Sequence, residues 1–370
     1  MRYRVMYGAA LVALWAASAH AEGGPASDGV TLYGLIDAGV SYVSNEGGHA
    51  NLKFDDGIYT PNLLGFKGSE DLGGGLHAVF DLVDQFALGT GSIIAGQGLF
   101  GRNAYVGLVS DRYGSVTLGN QYDFMTDSLF GDRDDAALLV GGLYNFRAGP
   151  FAKIGIPSNP PFAPQFDWDR MAGATVASAI KYASPSIDGF KFGALYGFGG
   201  VPGSLGSGNS VSFGLNYDRG PFGAGAAYTE VKYPGAGSPQ VGIRNWGIGA
   251  HYAFGNVIAT ALVTTVRNTL NGSAIAEGET GLSWRFRPDW QLGADYMYMK
   301  GNAYLNDSHA HQITAVLDHS LSKRTSVYAE AVYQRANEGA QALISGVLDP
   351  NGTSSGPSQF VARIGVQTHF

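Results

Sequence analysis

The chain has 370 residues, including 56 glycines and no cysteine, and its formal net charge at pH 7 is -7. Without cysteine there is no disulfide framework, thiolate metal site or cysteine nucleophile, and the acidic balance makes nucleic acid an unexpected partner. Glycine weakens helices but suits turns and closely packed strands, so the composition favours a β protein over a helical one.

Residues 1–21 have the features of a secretory signal peptide. Two arginines lie within the first four positions, an apolar stretch covers residues 5–17, and residues 19–21 read Ala-His-Ala, a small-x-small cleavage site. We expect this segment to be removed on export and residues 22–370 to form one folded domain. Its removal takes away two positive charges and no acid, so the exported chain is more acidic than its precursor.

The rest of the chain alternates apolar and polar residues between turns rich in Gly, Asn, Asp and Ser, which is the period of β-strands. In the first such segment Leu32, Val40 and Tyr42 share one predicted face, and Asp37 lies on the other. The last segment, residues 359–370, alternates in the same way. Both ends of the mature chain are therefore predicted to be strands.

The window 246–266 contains no Asp, Glu, Lys or Arg and is long enough to suggest a transmembrane helix. However, Trp246, Ile248 and Tyr252 follow a period of two, and Gly255-Asn256 is a typical hairpin turn. We therefore predict two strands joined by a tight turn in this window.

Short turns alternate with longer connections along the chain, as in outer-membrane β-barrels. This pattern predicts about sixteen strands of roughly ten residues each. An even number of antiparallel strands lets the first and last strands pair, so that no backbone edge faces hydrocarbon. The predicted strands begin near Val30, Asn62, Leu76, Gly101, Ser115, Ala174, Phe190, Ser210, Phe222, Arg244, Asn256, Ala276, Trp290, His311, Thr325 and Gln359.

A soluble β-sandwich with one solvated face would explain any single segment equally well. Across the whole set, however, aromatic residues concentrate near predicted strand ends, as membrane interfaces favour. We therefore predict an all-β fold, a transmembrane antiparallel β-barrel with a polar interior. The aromatic residues are Tyr33, Tyr42, Tyr217, Trp246, Tyr252, Trp284, Phe286, Trp290 and Phe370.

Six segments carry a recognisable pattern: 30–37 (VTLYGLID), 65–76 (GFKGSEDLGGGL), 99–108 (LFGRNAYVGL), 114–123 (GSVTLGNQYD), 321–325 (LSKRT) and the terminal strand ending in Phe370. In sequence and in order they resemble the Gram-negative porin family, particularly the porins of β-proteobacteria. The resemblance implies a homotrimer of sixteen-stranded barrels in the bacterial outer membrane, in contact with its lipid and lipopolysaccharide. It also implies that a long third loop folds into each pore and that small hydrophilic solutes and ions diffuse through passively, with no cofactor.

The terminal Phe370 resembles the signal that the outer-membrane assembly machinery reads. An aromatic residue at this place would also suit the membrane interface by itself. Both roles can hold for the same side chain.

The constriction of the pore is expected where the third loop, from about 124 to 173, meets the barrel wall. Fixed charges in a narrow pore sort ions by sign, and the loop carries more acids than bases. Among these acids we expect Asp127, Asp132, Asp134 and Asp135 to face the constriction.

On the opposite wall the resemblance implies a ladder of arginines, and here the ladder is thinned. Arg102 keeps its place in the family motif, whereas Leu63 and Asn120 stand where the resemblance implies arginine. Asp37 lies on an inward face of the first strand and is included in the expected constriction. Because an acidic ring attracts cations, the sequence predicts a pore that prefers cations or discriminates weakly.

Three alternatives remain open. An outer-membrane hydrolase would share the signal, strands and aromatic residues, although no His-Glu-x-x-His metal motif is present. A substrate-selective channel is suggested by the thinned ladder and by the Pro-rich stretch 156–164. An adhesin or receptor would use long loops such as 200–209, 234–243 and 337–357.

Overall fold

The computed structural model describes residues 29–94, 98–130, 142, 148–156, 168–233, 242–344 and 352–370. In these ranges the chain forms 18 β-strands and a few short helical turns. The strands are β1 (Gly29–Glu46), β2 (His49–Asp56), β3 (Leu63–Gly73), β4 (Leu76–Ala87), β5 (Ser92–Ile93), β6 (Asn103–Ser110), β7 (Gly114–Tyr122), β8 (Thr175–Ala183), β9 (Phe190–Gly197), β10 (Ser210–Arg219), β11 (Phe222–Lys232), β12 (Gly242–Phe254), β13 (Val257–Asn268), β14 (Ala274–Arg287), β15 (Trp290–Gly301), β16 (His309–Ser320), β17 (Thr325–Ala336) and β18 (Ser358–His369).

The strands form an antiparallel sheet that closes on itself. β1 pairs with β18 from Leu35↔His369 to Val43↔Val361, which joins the two ends of the chain. β2 and β3 both pair with β1 and share one place in the wall, while β5 pairs only with the end of β4. The wall is therefore the predicted barrel of 16 strands.

Every predicted strand start lies within two residues of an observed one. The structure adds β2, which forms a hairpin with β1 around Gly47 and Gly48, where no strand was predicted. The window 246–266 is a hairpin, with β12 and β13 joined at Gly255 and Asn256. No helix in the described ranges is long and apolar enough to cross a membrane.

The two faces of each strand differ as the period of two predicted. In β18, Ile364 is 73% exposed on the outer surface, whereas its neighbour Arg363 is only 2% exposed and points inward. The same contrast separates Phe213 from Ser212 in β10. Apolar side chains thus cover the outside of the barrel, where they meet lipid, and polar side chains are concentrated inside.

Aromatic rings form a girdle near the end of the barrel that carries the short turns. Tyr252 and Phe254 lie with ring centroids 4.4 Å apart, and Trp284 and Phe286 lie 5.3 Å apart. Such rings favour the membrane interface. Tyr33 differs from the expected girdle residues, because its hydroxyl donates a hydrogen bond to Asp81 on the inner wall at 2.6 Å.

Three segments have described residues that fold inward from the wall. The third loop, 123–174, joins β7 to β8 and includes the π-helical turn Met125–Phe130. The inner segment, Gly57–Asn62, separates β2 from β3, and the last loop, 337–357, joins β17 to β18. The third loop packs on inward side chains of several strands: Met125 and Leu129 join a cluster with Leu195 and Leu262, while Phe151, Ile154 and Trp168 join another with Ile243, Val266 and Met297. The described parts of the long third loop therefore lie inside the barrel, as predicted.

Candidate functional site

Two ion pairs, one buried and one partly buried, hold the beginning of the third loop. Arg170, near the end of the loop, donates through Nε to the carboxylate of Asp123 at its beginning. Lys181 on β8 pairs with Asp127 in the π-helical turn and also donates to the carbonyl of Tyr122 at 2.8 Å. The charge of Asp127, an expected constriction residue, is therefore matched by a wall cation.

Arg102 fastens the end of the third loop to the wall. Its Nε donates to the hydroxyl of Tyr122 at 2.6 Å, Nη1 to Oε1 of Gln85 at 3.1 Å and Nη2 to the carbonyl of Ala172 at 2.7 Å. The side chain is only 5% exposed. Arg102, one of the expected constriction residues, is therefore buried and binds the third loop to the barrel wall.

Asp37 is also buried, and its contacts explain why. One oxygen, Oδ2, accepts from Nη2 of Arg363 at 3.0 Å and from the backbone N–H groups of Ile58 and Tyr59 at 2.8 and 3.1 Å. The other, Oδ1, accepts from the hydroxyl of Tyr328 at 2.6 Å. Asp37 therefore anchors the inner segment to the wall.

Leu63 and Asn120 occupy different surroundings. Leu63 is buried in an apolar cluster with Leu35 and Val83. Asn120 shares a strand face with Leu118, which is exposed on the outside, and its side-chain amide donates to the carbonyl of Gly101 at 2.8 Å. The structure does not bring Asn120 together with the buried residues around Asp37.

Several expected residues lie outside the described part of the chain. These are Asp132, Asp134 and Asp135 of the third loop, residues 1–21, and residues 157–164 of the Pro-rich stretch. Phe370 is described: its backbone exchanges two hydrogen bonds of 3.1 Å with Gly34, and its ring is about half exposed on the outside. It completes the closure of the barrel, and its part in assembly stays a prediction.

The alternation along the chain predicts Asp295, Asp318 and Glu330 on inward faces, but it did not indicate that they share one sector of the inner wall with two further acids. Five carboxylates occupy inward positions of neighbouring strands and are buried: Glu277, Glu279, Asp295, Asp318 and Glu330. Neither carboxylate oxygen of Glu330 has a hydrogen-bond partner. The alternation of Glu277 and Glu279 with Ala276, Gly278 and Thr280 would have been the signal for this sector.

The third loop touches this acidic sector directly. The hydroxyl of Thr264 on β13 lies 3.0 Å from Oδ2 of Asp169 in the loop and 3.1 Å from Oε2 of Glu277 on the wall. The amide of Asn268 donates to the carbonyl of Ile154 at 2.9 Å. The loop thus brings a further acid to the wall that already carries five.

Residues 352–356 read Gly-Thr-Ser-Ser-Gly, which matches the Gly-x-Ser-x-Gly pattern of serine hydrolases. That pattern places the serine on a sharp turn between a strand and a helix. Here it lies in the last loop, just before β18, and the Ser354 hydroxyl donates to the carbonyl of Gly356. The described residues also hold no group of three or more histidines and carboxylates placed to bind a metal ion.

Comparisons with known proteins agree with this architecture. A family model described as Gram-negative porin matches residues 8–339. The outer membrane porin protein 32 of Delftia acidovorans is 27% identical over 356 residues, which cover 93% of this chain and 95% of that protein. An anion-selective porin from Comamonas acidovorans has a similar structure, with a TM-score of 0.72 and 23% identity over 93% of this chain and 100% of that one. OmpT of Vibrio cholerae, in a trimer form, gives a TM-score of 0.62 with 15% identity over 92% and 99% of the two chains.

The family match covers most of the chain, and the closed barrel has the same fold as the solved porin from Comamonas acidovorans. This chain therefore belongs to the Gram-negative porin family, as a channel protein of the bacterial outer membrane and not an enzyme.

Proposed function

We propose that this porin lets small hydrophilic solutes and ions diffuse passively through its lumen, and that it prefers cations or discriminates weakly between ions of opposite sign. We further propose that it works as a homotrimer in contact with lipid and lipopolysaccharide, after removal of residues 1–21 as a signal peptide. The trimer form of the similar OmpT structure supports the first of these further points.

The distribution of charge inside the barrel supports the proposed ion preference. Among the inward cations, Arg102, Arg170 and Arg363 are buried and Lys181 is partly buried, and each is bound to a carboxylate or to carbonyl and hydroxyl groups. The sector from β14 to β17 carries five inward acids, and of the four cations only Arg363 lies beside it, opposite Glu330 in the β17–β18 register. Charges that line a low-dielectric channel act on passing ions with little screening, so an acidic sector favours cations.

The comparison with the Comamonas porin makes this proposal specific. That protein is described as anion-selective, whereas in this chain Leu63 and Asn120 stand at positions where the family resemblance implies arginine. Leu63 lies on the inner wall, so we expect the missing charge there to weaken anion preference relative to porins that carry arginine at that position, whereas Asn120 shares the face of the outward Leu118 and contributes nothing to this difference.

Planar-bilayer recordings in a KCl gradient test the proposal. A reversal potential that corresponds to cation preference, or one close to zero, is the expected result. Clear chloride preference would contradict the ion preference. Liposome swelling with sugars, amino acids and dicarboxylates tests the passive mechanism, because rates that saturate with solute concentration would indicate a substrate-selective channel instead.

A further inference from the structure

The inner segment interrupts a strand that could have been continuous. Ala38 of β1 pairs with Asp56 of β2, and Leu35 of β1 pairs with Leu63 of β3. Three steps along β1 therefore correspond to seven steps along its partner, so four residues are surplus to a regular ladder. A bulge of one residue is the usual irregularity of an antiparallel pair, and an insertion of four must leave the plane of the wall.

The surplus residues lie on the lumen side, and a buried network holds them there. Asp37 accepts the backbone N–H groups of Ile58 and Tyr59 and is itself paired with Arg363. The ring of Tyr59 stacks on the inward ring of Tyr328, with centroids 4.3 Å apart. These contacts fix the backbone of the segment as well as its largest side chain.

Asn62 closes the other end of the inner segment. Its side-chain carbonyl accepts the backbone N–H of Asp37 at 2.8 Å, and its amide donates to Asp56 at 2.6 Å. Hydrogen bonds therefore hold both ends of the inner segment to β1 and β2. The segment forms a fixed projection into the lumen.

The other two inward segments meet this projection. A Cβ atom on Gly142 of the third loop would collide with the backbone oxygens of Ile58 and Tyr59, so the loop reaches the projection at that residue. Ile344 of the last loop packs in one buried cluster with Ile58 and with Val332 and Val361 of the wall. Hydrogen bonds from the backbone N–H of Ile344 to Gln359 at 2.7 Å and of Leu343 to Gln334 at 2.8 Å hold the last loop in this inward position.

We propose that Gly57–Asn62 narrows the pore in its own right, as a fixed projection on which the third loop and the last loop rest. The free cross-section of the lumen is then set by three segments together. This role is independent of the ion preference proposed above, since it concerns the size of the path and not the sign of its charges.

A deletion that restores the regular ladder tests the proposal. Removing residues 58–61 leaves Asp56-Gly57-Asn62-Leu63 opposite Ala38 to Leu35, and the bond from the N–H of Gly57 to the carbonyl of Asp37, 3.0 Å, already fits that register. Because conductance follows the open cross-section of a water-filled pore, we expect the single-channel conductance of the full-length variant to rise by about 1.5-fold or more. A correctly inserted variant with unchanged conductance would overturn the proposal.

A second variant covers the case in which the deletion does not fold. Tyr59→Ala keeps the backbone but removes the ring that stacks on Tyr328, and we expect a smaller rise in conductance. Tyr304→Ala is the matched control, since Tyr304 is an exposed tyrosine outside the lumen, and its conductance should equal that of the parent. Equal conductance for Tyr59→Ala and Tyr304→Ala would also overturn the proposal. The reversal potential recorded in the same bilayers reports separately on the ion preference.

Discussion

Arg363 in the last strand and Asp37 in the first form an ion pair, with Nη2 and Oδ2 3.0 Å apart and both side chains fully buried. The pair lies beside the seam where β1 and β18 close the barrel. The same carboxylate holds the inner segment, and the same guanidinium donates from Nε to Tyr328 at 2.7 Å and from Nη1 to Ser41 at 3.0 Å. Closure of the barrel and the shape of its lumen therefore depend on one shared network.

Replacing Arg363 by methionine should destabilise the barrel strongly. The change leaves the Asp37 carboxylate buried without its cation, which typically costs about 3 kcal/mol or more. Arg287→Met is the control, because the Arg287 side chain is 68% exposed, and we expect it to change the free energy of unfolding by no more than about 0.5 kcal/mol. Urea unfolding of the refolded barrel in detergent measures both. Equal effects of the two substitutions would contradict a structural role for the pair.

Arg102→Met should release the end of the third loop. The guanidinium has three hydrogen-bond partners from separate parts of the chain, and we expect a loss of about 3 kcal/mol in the free energy of unfolding, with faster proteolysis of the loop. Tyr122→Phe removes only one of these acceptors and should cost about 1 kcal/mol. A large shift in reversal potential with unchanged stability would instead place Arg102 in the path of the permeating ions.

The wall of the barrel was predictable because each strand separates lipid from a polar interior. Because of that separation, apolar and polar residues alternate with a period of two in strands such as β18, where Ile364 and Arg363 point to opposite sides. The inner segment has no such signature. Its residues, Gly-Ile-Tyr-Thr-Pro-Asn, read as an ordinary connection, and its inward position depends on Arg363, more than 300 positions away in the sequence.

The site was predictable only as a set of charged residues. The sequence motif placed Arg102 in the expected constriction. Its contacts with Gln85, Tyr122 and Ala172 form only in the folded chain and could not be predicted from the motif. Likewise, the loop position of Asp127 was evident, whereas its pairing with Lys181 requires the register of β8 against the third loop. Spacing along the chain contains no information on such pairings.

Removing charge from the acidic sector should reduce the preference for cations. Glu279→Gln combined with Asp295→Asn removes two inward carboxylates while preserving side-chain size, so the reversal potential in a KCl gradient should move toward that of chloride. Glu230→Gln is the matched control. Glu230 is paired with Arg244, whose side chain is 52% exposed, and we expect no change in reversal potential. An unchanged reversal potential for the double variant would exclude this sector as the source of selectivity.

Lys181→Met should shift selectivity in the opposite direction. The substitution removes the cation that pairs with Asp127, so the net charge beside this part of the third loop becomes more negative. The reversal potential should move further toward cation preference, provided that the loop stays in place. Protease resistance of the third loop checks this condition. A shift toward chloride would show that Asp127 does not act on the permeating ions.

Phe370→Ala separates the two roles expected for the terminal aromatic residue. The ring is about half exposed and lies against Gly34, so its loss should lower the free energy of unfolding of the refolded barrel by only about 1 kcal/mol. If Phe370 is also read during assembly, the amount of folded protein in the outer membrane of cells should fall far more than this small loss explains. Phe360→Ala is the matched control, because Phe360 lies in β18, the strand that ends just before Phe370, and is also exposed on the outside. The assembly role requires a specific loss for Phe370→Ala in cells, and equal outer-membrane levels of the two variants would leave Phe370 as a membrane-interface residue only.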